Sequence, residues 1–153
     1  MTDDPITDAD IAELVALMSD AASAYIGGEI RRYFDLVQEA DDYTLMDPFG
    51  GIQRRSPVTD SRIAELEALF QGGECTLDVV ETYASGNLGV LVAVERQHGK
   101  VGPYAPQDWS LRVTLVFRRE DDGWHLVHRH ADPIVHPITF DQVSELARGD
   151  ASG

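Results

Sequence analysis

Past the paired glycines Gly72 and Gly73 the hydrophobic pattern of this chain changes period, and that change limits the architectures open to it. Upstream, apolar residues recur every three or four positions. Ile11, Leu14, Val15, Met18, Ala21, Ala22, Tyr25 and Ile26 form one stripe, Ile30, Tyr33, Phe34 and Val37 a second, and Ile63, Leu66, Leu69 and Phe70 a third. Thr7 or Asp8 is placed to cap the first helix, and Asp60 or Ser61 the third, which Gly72-Gly73 would stop. The second helix is expected to end at the acidic cluster of residues 39–42, before a short strand at 43–46 and a loop, "IQRRSPV". Downstream, residues 75–83, 88–96, 109–119 and 124–132 are rich in Val, Leu, Thr and aromatics, with "ASGN", "GKVGPYAPQ" and "EDDG" as turns between them. Helices first and long strands afterwards predict an α+β fold: a cone-shaped, curved antiparallel or mixed sheet wrapped around three N-terminal helices. A last short helix is expected over residues 142–147.

The length of 153 residues suits one domain, spanning 1–153 with its core at about 8–140. A formal net charge of -15 makes the average surface repel phosphate backbones and anionic membranes, so neither nucleic acid nor a membrane is an expected partner. Cys75 is the single cysteine, which excludes an intrachain disulfide and a multi-cysteine zinc site and fits a reducing cytoplasm. The acidic start "MTDDPITDAD" lacks the pattern of a secretory signal, and the apolar run of residues 88–94 is too short to span a bilayer, so a cytoplasmic location is expected.

The stretch "ADDYTLMDPFGG" resembles the strand and corner of ketosteroid isomerases, in which a carboxylate before the Pro-x-Gly corner is the general base. The order of elements, and the terminal segment "LRVTLVFRREDDGWHLVHRHADP", are similar to SnoaL-like domains of the nuclear-transport-factor-2-like superfamily, whose fold is also described as cystatin-like. The resemblance spans roughly residues 11–138. It implies a cone-shaped cavity for a small apolar molecule, no cofactor, a homodimer formed through the sheet, and Asp47 in the position of the base. It also implies an oxyanion-holding tyrosine and acid, whose positions fall near Ala21 and Leu115; Tyr25 lies about one helical turn from the former. Without that pair, true steroid isomerase activity is not expected.

If Arg119 and Trp124 pair across the "EDDG" turn and alternation is unbroken, Trp109, Leu111, Val113, Leu115 and Phe117 share an inner face with Leu126, His128, His130 and Asp132. Arg112, Thr114, Val116, Val127 and Arg129 then face outward. His130 would act as acid or base with Asp132 orienting it, and Tyr25, Tyr33, Met46, Phe49, Trp109 and His128 would line a ligand pocket. Each residue has a plainer alternative: structural histidines, aromatic core, and for Asp47 a turn cap. A one-residue register change would turn the histidines outward. The spacing in "HRHAD" is that of three metal ligands, but one strand seldom supplies a converging set, and no metal is expected. Glu81 and Glu95 interrupt apolar strands and are expected to pair with Arg112 or Arg129.

Two functions follow. One is a cofactor-free isomerase, cyclase or lyase of the dehydratase type, with Asp47 removing a proton and His130 polarising the oxygen. The other is a non-catalytic ligand-binding or dimerisation module.

Overall fold

The computed structural model describes residues 4–149. Helix α1, Asp8–Ile26, begins where the Thr7 side chain accepts a hydrogen bond from the Asp10 amide at 3.1 Å while the Asp10 carboxylate accepts one from the Thr7 amide at 2.9 Å. That capping box satisfies amides the helix itself leaves free. Leu14, Met18, Ala21, Ala22 and Ile26 form its buried stripe. Gly28 then adopts a φ of 83°, and a Cβ there would stand 2.5 Å from the Phe70 carbonyl oxygen, so only glycine turns the chain into α2, Ile30–Leu36.

Strand β1, Gln38–Met46, is longer than the sequence pattern indicates and takes up the acidic cluster expected to end α2. Pairing explains the difference: Gln38 and Glu39 add in parallel to the last long strand opposite His125 and Leu126. Asp41 and Asp42 are matched by Arg55 and Arg118. Tertiary partners here override the weak strand preference of acidic residues. A two-residue strand β2, Gln53–Arg54, turns back on β1 within the expected loop.

Helix α3, Asp60–Leu69, is capped by Thr59, one residue before the expected cap, through a 3.1 Å bond from the Arg62 amide. It stops before the glycines, because β3, Phe70–Ser85, already includes them. Gly73 pairs with Gly99 of β4, Leu88–Val101, and a Cβ on Gly73 would meet the His98 carbonyl at 2.5 Å and Ile26 at 2.9 Å. The bare backbones there let α1 close onto the strands. Short β5, Gln107–Asp108, long β6, Leu111–Glu120, and β7, Gly123–Asp132, follow.

The strands form one mixed sheet in the order β2-β1-β7-β6-β4-β3, with β5 on β4. All pairs are antiparallel except β1 with β7. The helices α1 and α2 cover its inner face, where Leu91, Val113, Leu115, Phe117 and Leu126 are buried against Leu14 and Met18. This is the expected α+β class. Helix α4, Phe140–Arg148, runs from a Thr139 cap to a left-handed Gly149 and buries none of its residues.

Candidate functional site

The β6–β7 hairpin decides which polar groups face the interior. Arg119 pairs with Trp124 as expected, and Phe117 with Leu126, but Val116 pairs with His128, so Val127 has no partner opposite it. Such a bulge reverses the alternation of every later residue. The expected inward set is therefore corrected: Arg129 and Ala131 lie opposite the buried Leu115 and Val113, while His128, His130 and Asp132 share the outer face with Val116, Thr114 and Arg112.

The outward residues have partners of their own. His128 Nδ1 and Thr44 Oγ1 are 2.8 Å apart. Exposed His130 sits between Met46 and Thr114 in the ladder. Asp132 takes two 2.8 Å hydrogen bonds from Arg112 and one of 2.9 Å from the Ile134 amide, rather than orienting His130. The Arg112 guanidinium holds the Asp132 carboxyl below the usual carboxylate range.

Asp47 ends β1 and organises the corner. Its Oδ1 accepts from the Phe49 amide at 3.1 Å, its Oδ2 accepts from the Gln53 side chain, and its carbonyl accepts from the Gly50 amide at 3.1 Å. The Asx-type arrangement is what an Asp-Pro corner favours. Phe49 is 89% exposed at its tip. Trp109 donates from Nε1 to the Gly99 carbonyl at 3.1 Å and lies beside Tyr104. Asp47 is engaged by the corner's own groups and His130 is exposed on the outer face, although Asp47 is within electrostatic range of the Tyr25 hydroxyl.

Inside, the structure assembles a different set. Arg129 donates from Nη1 and Nη2 to the two carboxylate oxygens of Glu95 at 2.8 and 2.7 Å, with side-chain exposures of 17% and 4%. The expected pairing of Glu95 with Arg129 holds, across the intervening strand and on the inner face. Burial alone would lower the Arg129 pKa, but the attraction of Glu95 outweighs it and the net direction is upward. Tyr25, Tyr33 and Tyr43 surround the pair within electrostatic range. Burial raises the pKa of all three, which keeps them neutral donors. The rings of Tyr25 and Tyr33 are held by packing: Tyr25 meets Tyr33 edge-on at 5.0 Å and Phe70 at 4.8 Å. Among the described residues, no hydrogen bond reaches any of the three hydroxyls. The nearby Cys75 thiol is pushed up to about 12 by burial and by Glu95, so it is not a nucleophile.

Two charged groups at the rim of this set complete it. The Arg62 guanidinium stacks over the Phe34 ring at 5.3 Å, and its buried Nη1 has no hydrogen-bond partner. Glu39 is half-buried, and desolvation raises its pKa against the pull of Arg62 and Arg55. Glu39 also lines a groove of about 890 Å³ between α2, α3, the start of β1 and the β6–β7 turn, with Phe34, Val37 and Ile63 among its walls. Neither Asp47 nor His130 lines that groove. At its far side His125 stands 3.0 Å from Glu120 and 2.7 Å from Asp122, the group among the described residues with metal-ligand spacing. The imidazole thus has a carboxylate at each ring nitrogen.

Sequence reasoning missed Glu39, Arg62 and the inward Arg129. Only Arg129 left a signal, as a charged residue matched to Glu95 in an apolar strand. Glu39 and Arg62 look like ordinary surface charges until the helices are placed.

A family model for the SnoaL-like domain matches residues 14–135. No curated protein sequence matches the chain. Among solved structures, a protein of the NTF2-like family from Streptomyces avermitilis, described as a candidate dehydratase, superposes with a TM-score of 0.65 at 19% identity, covering 87% of this chain and 100% of that one. The CaMKII association domain of C. elegans superposes with a TM-score of 0.62 at 12% identity, covering 81% and 95%. A protein of cystatin-like fold from Nostoc punctiforme gives 0.61 at 14%, covering 84% and 94%. At these identities the structures share the fold alone. The family match covers most of the chain: it belongs to the SnoaL-like family.

Proposed function

We propose that, as a SnoaL-like domain, this chain binds a small oxygen- or nitrogen-bearing molecule between the inner tyrosines and the groove, without catalysing its conversion. One observation carries this reading: the hydroxyls of Tyr25, Tyr33 and Tyr43, together with Arg62 Nη1, are polar groups at the interior with no protein partner among the described residues. Arg62 Nη1 is buried without a partner and the three hydroxyls reach accessible space, so a set of this kind suits a guest with an apolar body and a hydrogen-bonding head. Ligand-observed NMR of the purified chain with small aromatic ketones, alcohols and amines tests it. Binding that weakens at least about tenfold in the Tyr33→Phe/Tyr43→Phe variant supports the reading, on the ordinary strength of a lost buried hydrogen bond. Equal binding by both proteins overturns it.

Proton abstraction by Asp47 with His130 is the weaker alternative, since neither residue lines the groove. Its remaining support is the range of Asp47 to Tyr25. Asp47-dependent turnover of any ketone or polyketide would restore it.

A second reading, pairing of two copies through the outer sheet face, is favoured by a stripe of Val90, Val92, Val94 and Val116 that faces away from the helices, with Tyr83 60% exposed beside Val90. The likeness to CaMKII hub and association domains, whose names denote assembly, adds to it. Val92→Glu is expected to convert the homodimer to monomer in sedimentation equilibrium, and an unchanged mass would remove the sheet face as the interface. The domain is further proposed to be a single unit with its core at about 8–140 and to reside in the cytoplasm; among the described residues no helix is long and apolar enough to cross a membrane.

A further inference from the structure

The geometry points to the groove beside Glu39 as a site for an organic cation, an amine carried on an apolar or aromatic body, with the Glu39 carboxylate as its counter-charge. The inference deepens the ligand-binding reading above and rests on it.

Charge matching within the groove isolates Glu39. Arg31 is bonded to Asp60 at 3.2 Å, Arg55 to Asp41 at 3.0 Å and Arg118 to Asp42 at 2.9 Å. Glu120 and Asp122 hold His125. Of the carboxylates lining the groove, Asp35 and Glu39 have neither an arginine nor a histidine partner among the described residues, and Asp35 is exposed. Glu39 is half-buried, with the apolar walls of Phe34, Val37 and Ile63 around it. A desolvated carboxylate with no matching donor is poorly placed for the protein alone and well placed for a guest bringing an N–H cation.

The neighbouring charges set how selective the site is. Arg62 on α3 and Arg55 beyond β2 oppose a cation near Glu39, while Tyr25, Tyr33 and Tyr43 present neutral hydroxyls. The arginines that line the groove, Arg31, Arg55 and Arg118, are already matched by carboxylates, and the chain as a whole carries a formal net charge of -15, so the field at the groove still attracts cations. An anion would find no unmatched guanidinium among the residues that line the groove.

Three probes of similar shape and different charge test the assignment: phenethylamine, 2-phenylethanol and 3-phenylpropanoate, titrated near neutral pH into the full chain and followed by backbone NMR. The amine is expected to bind at least about tenfold more tightly than the alcohol and to shift resonances of residues 34–42 and 58–63. In Glu39→Gln that preference should vanish while the alcohol's affinity stays the same. The amine's advantage should also fade on acidification at a higher pH than an exposed glutamate would give, because burial raises the Glu39 pKa. A preference that survives Glu39→Gln, equal binding of the three probes, or no amine binding overturns the cation assignment. If the alcohol still binds in a Tyr33- and Tyr43-dependent way, the ligand-binding reading stands while the cation assignment falls; loss of that tyrosine dependence sinks the reading itself.

Discussion

The inner and outer faces of the same sheet treat ion pairs differently. On the inner face, Arg129 and Glu95 join with two short hydrogen bonds away from water. On the outer face, Arg112 and Asp132 join with two bonds of nearly the same length, but the Arg112 side chain is 56% exposed. Geometry is therefore not what separates them. The outer pair exchanges hydration for contact at little net gain, whereas the inner pair has lost its water and each partner depends on the other. The lesson is that the bulge at Val127, by sending Arg129 inward and Asp132 outward, sets the energetic role of both arginines.

Breaking the inner pair should have the largest effect. Arg129→Met leaves Glu95 buried and unmatched and is expected to cost about 3–5 kcal/mol in urea unfolding. The Glu95→Leu/Arg129→Met variant should recover most of that loss, since matched apolar replacements often equal a buried pair. A loss under about 1 kcal/mol for the single change would place both faces in the same class. At the corner, Asp47→Ala removes the acceptor for the Phe49 amide and for Gln53, and an intermediate loss of about 0.5–1.5 kcal/mol is expected from the same denaturation curves. Arg112→Ala on the outer face should cost less than about 1 kcal/mol, and less again in high salt.

The smallest signal is in the acid limb. The Asp132 pKa lies below its ordinary value of 3.8, chiefly through the Arg112 hydrogen bonds. Its stabilising contribution is therefore complete above about 3.8 and lost as pH falls through the lowered value. Asp132→Asn should flatten stability against pH in that window and leave the curve above it parallel to the wild type. Glu39 behaves with the opposite sign: its raised pKa gives a contribution that is present below the ordinary value of 4.5 and lost as pH rises through the folded value. Glu39→Gln should thus stabilise the protein modestly at neutral pH, and a destabilised variant would show that Glu39 has a donor in solution.

Much of the fold was legible because its signals are local. The stripe from Leu14 to Ile26, the Thr7 cap, the turn residues of the "EDDG" hairpin and the Asp-Pro-Phe-Gly-Gly corner each depend on residues a few positions apart. The resemblance of the element order and of "LRVTLVFRREDDGWHLVHRHADP" to SnoaL-like domains indicated the family correctly. The inner site was far less legible. The reading of His128, His130 and Asp132 as inward residues assumed unbroken alternation from Trp124, and one unpaired valine reversed it. Residues 39–42 looked like the end of a helix because their parallel partner, the start of β7, lies more than eighty positions away.

By itself, then, the sequence determined the class of the fold, the helices and hairpins, the family, and the carboxylate that organises the corner after β1. Those features follow from periodicity, caps and turn chemistry, which act over one or two turns of chain. The tertiary structure alone decided that Arg129 rather than His130 faces Glu95, that Glu39 borders a groove, and that Arg62 stacks on Phe34. Those outcomes depend on a bulge, a parallel pairing and the docking of α3, and each is set by which distant surfaces bury together rather than by preferences carried within the segment itself.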